Sequence, residues 1–311
     1  MKLRDLGEGG LIRAIREKFG PKADDLPVGI GDDAAVIDLP PGHSIVFCSD
    51  LVSENTHFVR DLHPPESIAY KAIAANVSDV AAMGGIATHF LISLAAPGDL
   101  DWSWFEGFFN GVAQACSQFE VVLAGGDSSS SESIFVDVSM IGRVQAGRAV
   151  RRSGAKAGDG IYVTGKLGSS VLGFERLKQG MRNDAAVQRH LFPEPRYKVG
   201  VFVADKAHAM IDVSDGLSTD LTHVLEESGV SARIYKDRIP IWPGAEDRHA
   251  LNGGEEYELI IIAPQLPAIV EGVPLTRIGD IVASGSEHQA ILIDGTAESI
   301  LRPQGWQHFA P

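Results

Sequence analysis

One stretch, Gly29-Ile30-Gly31-Asp32-Asp33-Ala34-Ala35-Val36, sets the plan of this sequence: two glycines, then two adjacent carboxylates, then an apolar run. The glycines allow a sharp turn and a close approach of the backbone to a ligand. Adjacent residues on an extended chain point to opposite faces, so Asp32 and Asp33 are expected to have different roles. One would bind a hard cation while the other shapes the turn. Gly-Asp-Asp is also a common turn composition, and an ordinary turn is the alternative interpretation of this stretch taken alone.

Similar acids recur downstream, beside glycines, at the ends of predicted strands or on an apolar helix. They are Asp50, Asp79, Asp127, Asp212 and Asp215. Mg²⁺ prefers oxygen ligands and shares its shell with phosphates and water, so this set indicates hard-cation ligands. Without a cation such clustered carboxylates would repel one another. Phosphoryl transfer needs this chemistry and also a cationic group, for which Arg151 and Arg152 are candidates, with a solvated charge pair as the alternative.

The composition limits the classes of protein to which the chain can belong. Its 311 residues exceed what one average core organises, and a hydrophobic content of 44% is ample for packed cores. The formal net charge of −14 argues against nucleic acid or an anionic membrane as a partner. The sequence has no apolar run of the ~20 residues that a membrane helix needs, no signal-peptide start, and only Cys48 and Cys116, too far apart for a Cys-x-x-Cys pair. We therefore expect a soluble protein of the reducing cytoplasm.

Alternating helical and strand patterns predict an α+β chain of two mixed α/β domains. Predicted helices cover 3–19, 64–84, 101–119, 167–177 and 217–228, and predicted strands cover 34–39, 44–48, 90–96, 121–124, 134–144, 161–164, 231–235 and 258–263, with a further strand from Met210. A basic, glycine-rich segment from about residue 146 places the domain boundary, which gives domains 1–145 and 146–311. The segment Gly160 to Lys166 nearly fits a phosphate-binding loop. That interpretation fails because the intervening residues form a strand and Leu167 has no hydroxyl group for magnesium.

A series of motifs follows one order along the chain. They are Gly31-Asp32-Asp33-Ala34-Ala35, Asp50 with His57-Phe58, Asn76-Val77-Ser78-Asp79-Val80-Ala81-Ala82-Met83-Gly84, Gly125-Gly126-Asp127, Arg152-Ser153-Gly154-Ala155, Asp212-Val213-Ser214-Asp215-Gly216-Leu217 and Gly253-Gly254-Glu255-Glu256-Tyr257-Glu258-Leu259. In residue type and order they resemble the thiamine-monophosphate kinase family, over nearly the whole chain.

The resemblance implies ATP-dependent phosphorylation of thiamine monophosphate to thiamine diphosphate, by a cytoplasmic homodimer whose N-terminal domains pair through their sheets. The N-terminal domain would bind ATP and metal, and the C-terminal domain would complete the nucleotide and substrate sites. By position, the implied ligands of several Mg²⁺ ions are Asp33, Cys48 (through its carbonyl), Ser49, Asp50, Asp79, Asp127, Asp212 and Asp215. The implied ATP contacts are Gly126, Asp127, Arg152 and Ser214, and the implied substrate contacts are His57, Glu255 and Trp306.

The implied chemistry suits these residues. The acceptor is already an anionic phosphate oxygen, so no strong general base is needed, and magnesium ions reduce the repulsion between two anions. Asp33, Asp79, Asp127 and Asp212 are accordingly the expected catalytic residues. We expect direct in-line transfer without a phosphoenzyme.

Two segments depart from the family pattern. Glu256 stands where the family usually has Asp, and Ser53-Glu54-Asn55-Thr56 precedes His57-Phe58 where a Val-Glu-Gly-x-His-Phe run is usual. Both concern the expected substrate site. The alternatives are another ATP-dependent enzyme of the superfamily, such as aminoimidazole ribonucleotide synthetase, a metal-dependent phosphohydrolase, and a non-catalytic nucleotide-binding regulator. The last would have lost metal ligands, whereas every matched aspartate is present.

Overall fold

The structure, a computed structural model, describes residues 2–20, 23–30, 34–284 and 288–307. The helices are α1 (Leu3–Phe19), α2 (Pro65–Ala82), α3 (Trp102–Phe119), α4 (Ser169–Lys178), α5 (Ala185–Leu191), α6 (Tyr197–Val203), α7 (Leu217–Ser228) and α8 (Asp247–Asn252), with a 3₁₀ turn at Lys236–Arg238. The strands are β1 (His43–Ser53), β2 (Ile86–Ala96), β3 (Val122–Ser130), β4 (Phe135–Gln145), β5 (Gly160–Thr164), β6 (Ala209–Asp212), β7 (Val230–Tyr235), β8 (Leu259–Ala263), β9 (Ile269–Val270), β10 (Val273–Ala283), β11 (Ala290–Asp294) and β12 (Ala297–Leu301). The predicted α+β class is confirmed.

The chain forms two compact units. The first consists of Met1–Val80 and Ile86–Ala146, and the second of Ala81–Gly85 and Gly147–Pro311. The functional roles that the resemblance gives to domains 1–145 and 146–311 stay predictions.

The first unit is built on a four-stranded sheet in the order β1-β4-β2-β3. β2 and β3 are parallel and are connected through α3, whereas the other neighbouring strands are antiparallel. Alternation along the strands buries one face, with Val136, Val138 and Met140 fully inaccessible on β4. The opposite face exposes large apolar side chains, among them Ile45, Phe47 and Leu51.

The second unit contains a larger mixed sheet in the order β12-β11-β7-β10-β5-β8-β6, with β9 paired to β10. Three of its strands, β5, β6 and β8, are buried along their whole length. On β8, Ile260 and Ile262 pack in the cluster that includes Leu221 of α7, whereas Ile261 packs in the cluster that includes Val203 of α6. Such a two-sided core explains why β8 reads as a continuous apolar run in the sequence.

Three sequence-based predictions about strands are wrong. The segment from Ala34 to Leu39 is not a strand, since within the described residues its pairing is a single bridge from Val36 to Val28. β1 and β3 are longer than predicted, so Asp50 and Asp127 lie within strands rather than beyond their ends. The physical reason is that backbone pairing to β4 and β2 continues through the polar and glycine residues, which a local pattern does not reveal.

Rejection of the phosphate-binding loop is consistent with the structure. Gly160–Thr164 forms β5, which pairs with both β8 and β10, so these residues are a buried strand rather than a flexible loop. Among the described helices, none combines the length and apolar content needed to cross a membrane.

Candidate active site

In the first unit, β1 and α2 bring two predicted metal-binding acids together. Asp50 shares the inward face of β1 with Cys48, whose Sγ lies 3.5 Å from Oδ1 of Asn76 on α2. Asp79, one helical turn after Asn76, is hydrogen-bonded to Asp50. Burial is the main cause of a raised pKa for Asp50, and the nearby Asp137 adds to the increase, while the hydrogen bond from Asp79 opposes it. Two ionised carboxyl groups in contact repel each other, and a shared proton or a bound cation reduces that repulsion.

A second polar group lies on the opposite, open face of the same sheet. Ser49 donates from Oγ to Oδ1 of Asp137 at 2.8 Å, and Ser139 donates to Oδ2 of Asp137 at 3.2 Å. Asp127 of β3 and Asp137 of β4 are both in register with Ser93 of β2, which runs between them. The first unit therefore separates its predicted ligands by face: Asp50 faces inward, whereas Ser49 and Asp127 face outward.

Asp137 was missed in the sequence, although its place in the alternating strand at 134–144 assigns it to the outward face. Neither face presents a finished metal cage, because the described residues contain no group of three or more His, Cys, Asp or Glu side chains placed to hold an ion. Asp33 lies outside the described residues.

A cavity of about 840 Å³ opens on the outward face. Its walls come from α1, from described residues between 29 and 37, and from β2 and β3, and it includes Gly126, Asp127 and Ser128. At Gly126 a Cβ atom would lie 2.0 Å from the carbonyl oxygen of Ile92, so only glycine lets β3 approach β2 this closely. The close approach of the two strands thus explains why glycine is needed at position 126, independently of the predicted ATP contact.

His57, the predicted substrate contact of the first unit, is held in one tautomer by Ser53. The backbone N–H of Ser53 donates to Nδ1 of His57 at 3.1 Å, and Oγ of Ser53 lies 3.2 Å from the same nitrogen. Because Nδ1 accepts, the neutral ring carries its hydrogen on Nε2. Asn55 has a φ of 67°, a left-handed conformation that asparagine tolerates, so Asn at the place of the family's glycine keeps the turn.

In the second unit, predicted site residues from distant parts of the sequence meet around one loop. The loop follows β6 and carries Ser214 and Asp215, directly after Asp212. The backbone N–H of Glu255 donates to the carbonyl of Ser214 at 2.8 Å, and that of Trp306 donates to the carbonyl of Asp215 at 3.0 Å. Asp212 is buried, Glu255 is half-buried, and Trp306 is half-exposed. Residues of this unit that were predicted to bind metal, nucleotide and substrate are thus close to one another.

Asp220, in the first turn of α7, is a further acid that no sequence motif marked. Its Oδ2 accepts hydrogen bonds from the backbone N–H groups of Ser214, Asp215 and Gly216, at 3.1, 3.1 and 3.0 Å. Burial, followed by the charges of Asp212 and Asp215, raises the pKa of Asp220 to about 8. The available signal was an acid five residues after Asp215, near the start of a helix that had already been predicted.

Glu255 and its neighbour Glu256 point to different surroundings. Glu255 has a φ of 58° and places Oε2 3.8 Å from Nδ1 of the buried His190. Glu256 is 2% exposed and accepts from the backbone N–H groups of Gly168 and Ser170 at the start of α4, at 3.0 and 2.9 Å. The departure at Glu256 therefore falls on a residue that caps a helix.

Arg152, the predicted cation at the phosphates, is exposed, and its carbonyl accepts from Oγ of Ser228 at 3.2 Å. The carbonyl of Arg151 accepts from the backbone N–H of Met210 at 3.0 Å, so this basic segment runs beside the strand that ends at Asp212.

Comparisons with known proteins cover nearly the whole chain. Residues 31–144 match the N-terminal domain and residues 156–289 the C-terminal domain of AIR synthase related proteins. Thiamine-monophosphate kinase of Salmonella typhimurium is 36% identical, over 98% of this chain and 98% of its own length, and that of Aquifex aeolicus is 34% identical over 99% and 100%. The structure of AaThiL complexed with AMPPCP and TMP superposes with a TM-score of 0.79, at 34% identity over 99% of both chains. The chain therefore belongs to the thiamine-monophosphate kinase family, within the AIR synthase related proteins.

Proposed function

We propose that this protein transfers the γ-phosphate of ATP directly onto the phosphate of thiamine monophosphate, giving thiamine diphosphate and ADP. The observation that carries the proposal is the loop of the second unit, where Ser214 and Asp215 are joined by backbone hydrogen bonds to Glu255 and Trp306. This contact supports the proposal because the loop would bind nucleotide and metal, and the segments of Glu255 and Trp306 would bind the substrate. The exposed aromatic face of Trp306 suits a cationic thiazolium ring.

The donor chemistry of the site fits Mg²⁺. Asp50 and Asp79 are oxygen donors in contact with each other, a pair that a divalent cation would stabilise. Ser49, Asp127, Asp212 and Asp215 would complete the ligand set with water and phosphate oxygens, together with Asp33. When bound, magnesium ions would neutralise negative charge on the phosphates and so lower the repulsion between the two anionic substrates.

The protein's own residues would bind and orient the two anions. Ser214 and the backbone of Gly126 would contact ATP, and the guanidinium of Arg152 would offset charge that develops on the transferring group. His57 would present Nε2–H as a donor, since Ser53 occupies Nδ1. The acceptor oxygen is already ionised, so none of these residues has to remove a proton. A phosphorylated form of the protein during turnover would contradict this direct transfer.

The proposal includes a homodimer and a cytoplasmic location, where ATP is supplied. Support for the dimer comes from β1, an edge strand whose outward face exposes Ile45, Phe47 and Leu51. An apolar sheet face of this kind marks a protein interaction surface. A second copy of the same face is the partner that the family resemblance implies.

The test is to incubate the protein with Mg²⁺, ATP and thiamine monophosphate and to separate the products. We expect thiamine diphosphate and ADP in equal amounts and little product from free thiamine. Release of inorganic phosphate without thiamine diphosphate would identify a phosphohydrolase instead. Asp79→Asn should lower kcat at least about 100-fold. The matched control is Asp61→Asn, which changes an exposed carboxylate of the same unit and should keep full activity.

A further inference from the structure

Asp220 is an acid that the proposed chemistry does not use, yet it lies beside the residues that do. Its side chain is almost fully buried, at 2% exposure, and one of its oxygens accepts hydrogen bonds from three consecutive backbone N–H groups. A buried carboxylate close to Asp212 and Asp215 is unfavourable unless its hydrogen bonds compensate for the lost hydration.

The hydrogen bonds of Asp220 complete those of the loop. Ser214 donates its N–H to Asp220 and accepts from Glu255 through its carbonyl. Asp215 likewise donates to Asp220 and accepts from Trp306. The peptide groups between Ser214 and Asp215 and between Asp215 and Gly216 are therefore each held at both ends. Their N–H groups donate to Asp220, and their carbonyl groups accept from Glu255 and Trp306, respectively.

The helix that follows the loop does not provide this support. Gly216, at the N-terminus of α7, has a φ of 117° and, as a glycine, no side chain that could accept a hydrogen bond from a neighbouring backbone N–H group. A Cβ atom at Gly216 would lie 2.8 Å from the backbone of Asn252, so a capping side chain has no space there. The acceptor for the N–H groups of Ser214, Asp215 and Gly216 is instead Asp220, in the first turn of α7.

We propose that Asp220 is a positioning residue, which fixes the backbone from Ser214 to Gly216 so that Asp212, Ser214 and Asp215 face the nucleotide and its metal ions. The inference rests on the proposed function in that these three residues bind MgATP. It goes beyond that function because it assigns a role to a residue that would contact neither substrate nor metal.

The test compares Asp220→Ala with Asp184→Ala in the full chain. Asp184 is the matched control because its carboxylate accepts from the N–H groups of Ala186 and Val187 at the start of α5, away from the loop. We expect Asp220→Ala to raise the KM for ATP and the Kd for AMPPCP with Mg²⁺, the latter measured by calorimetry, by about tenfold or more. Asp184→Ala should lower the Tm without changing either constant. Asp220→Asn, whose amide oxygen can still accept the N–H groups, should restore most of the affinity.

An unchanged Kd for Asp220→Ala, or an equal increase in Asp184→Ala, would overturn the inference. If Asp220→Ala does not fold, Asp220→Glu keeps the carboxyl group but displaces its oxygens, and it must weaken AMPPCP binding for the inference to stand. The wild-type protein separates the two proposals: if it forms no thiamine diphosphate, the proposed function fails, whereas the ratio of variant to wild-type affinity tests Asp220 alone.

Discussion

Neighbouring buried acids in the second unit are stabilised by different kinds of partner. Glu258 accepts two hydrogen bonds from Arg196, at 2.6 and 2.7 Å, and one from Arg189 at 2.8 Å, so its charge is matched by cations. Glu256 accepts from backbone N–H groups and from the hydroxyl of Ser169 at 2.7 Å, all of them neutral donors. Burial consequently raises the pKa of Glu256 to about 7 from an ordinary value of 4.5.

This difference predicts a pH dependence of stability that belongs to Glu256. Because the folded state holds the proton more tightly, the stabilisation is complete below pH 4.5 and is lost as the pH rises through 7. Glu256→Gln stays neutral throughout. From pH 4.5 to pH 7, the free energy of unfolding of the wild type should fall relative to the Gln variant by about 1–3 kcal/mol.

Urea denaturation at a series of pH values measures this change. Glu227→Gln, at an exposed position on α7, is the control and should follow the wild-type curve. Parallel curves for wild type and Glu256→Gln would show that the pKa of Glu256 is the same in the folded and unfolded states and would contradict the prediction.

Individual residues could be assigned to the candidate site from the sequence where they belong to a recognisable motif or to a typical turn. The family resemblance assigned Glu255 and Trp306 to the substrate site, which stays a prediction, whereas neither Asp137 nor Asp220 was singled out from the sequence. The partners of Asp137 are hydroxyl groups on two different strands, and those of Asp220 are backbone N–H groups. Neither kind of partner produces a local pattern in the sequence.

Helix α2 carries Asn76 and Asp79 of the candidate site. Helix α3 packs tightly against the first turn of α2. Gly111 of α3 makes this possible, because a Cβ atom there would lie 2.1 Å from the carbonyl oxygen of Glu66. Gly107 faces the same turn, but a Cβ atom would meet the flexible end of the Glu66 side chain and the ring of Pro65, each at 2.9 Å.

We expect Gly111→Ala to destabilise the protein by about 1–3 kcal/mol, because the rigid backbone of α2 has to move. In an unconstrained helix the same change would stabilise by roughly 0.5–1 kcal/mol. Gly107→Ala should cost less, since the Glu66 side chain can rotate away. Thermal unfolding of the two variants measures the difference. A Tm for Gly111→Ala at or above the wild-type value would show that the two helices do not approach this closely.

Helices with a strong apolar stripe were predicted closely, as for α3, and strands were predicted less well. The pair Gly125-Gly126 was interpreted as the end of a strand, yet β3 continues to Ser130 because β2 provides a pairing partner along its length. The need for glycine at position 126 becomes visible only beside the carbonyl of Ile92. Strand length and close backbone approach depend on partners that are remote in sequence.

At the scale of the whole molecule, the order of motifs along the chain was more informative about the candidate site than the hydrophobic periodicity of any segment. Asp212, Glu255 and Trp306 are far apart in the sequence, and the family resemblance alone grouped them into one site. The structure gives a physical basis for that grouping, since backbone hydrogen bonds bring the three segments together in the second unit.

The oligomeric state of the protein can be tested by substituting exposed apolar side chains. Phe47, 68% exposed at the centre of the outward face of β1, would be covered in the proposed homodimer. Phe47→Glu would place a charge inside that interface, and we expect a dimer to become a monomer, measured by sedimentation equilibrium across protein concentrations. Ile269→Glu is the matched control, since Ile269 is 64% exposed in the second unit. The control should sediment as the wild type does, and a Phe47→Glu protein that still forms dimers would show that copies associate through another surface.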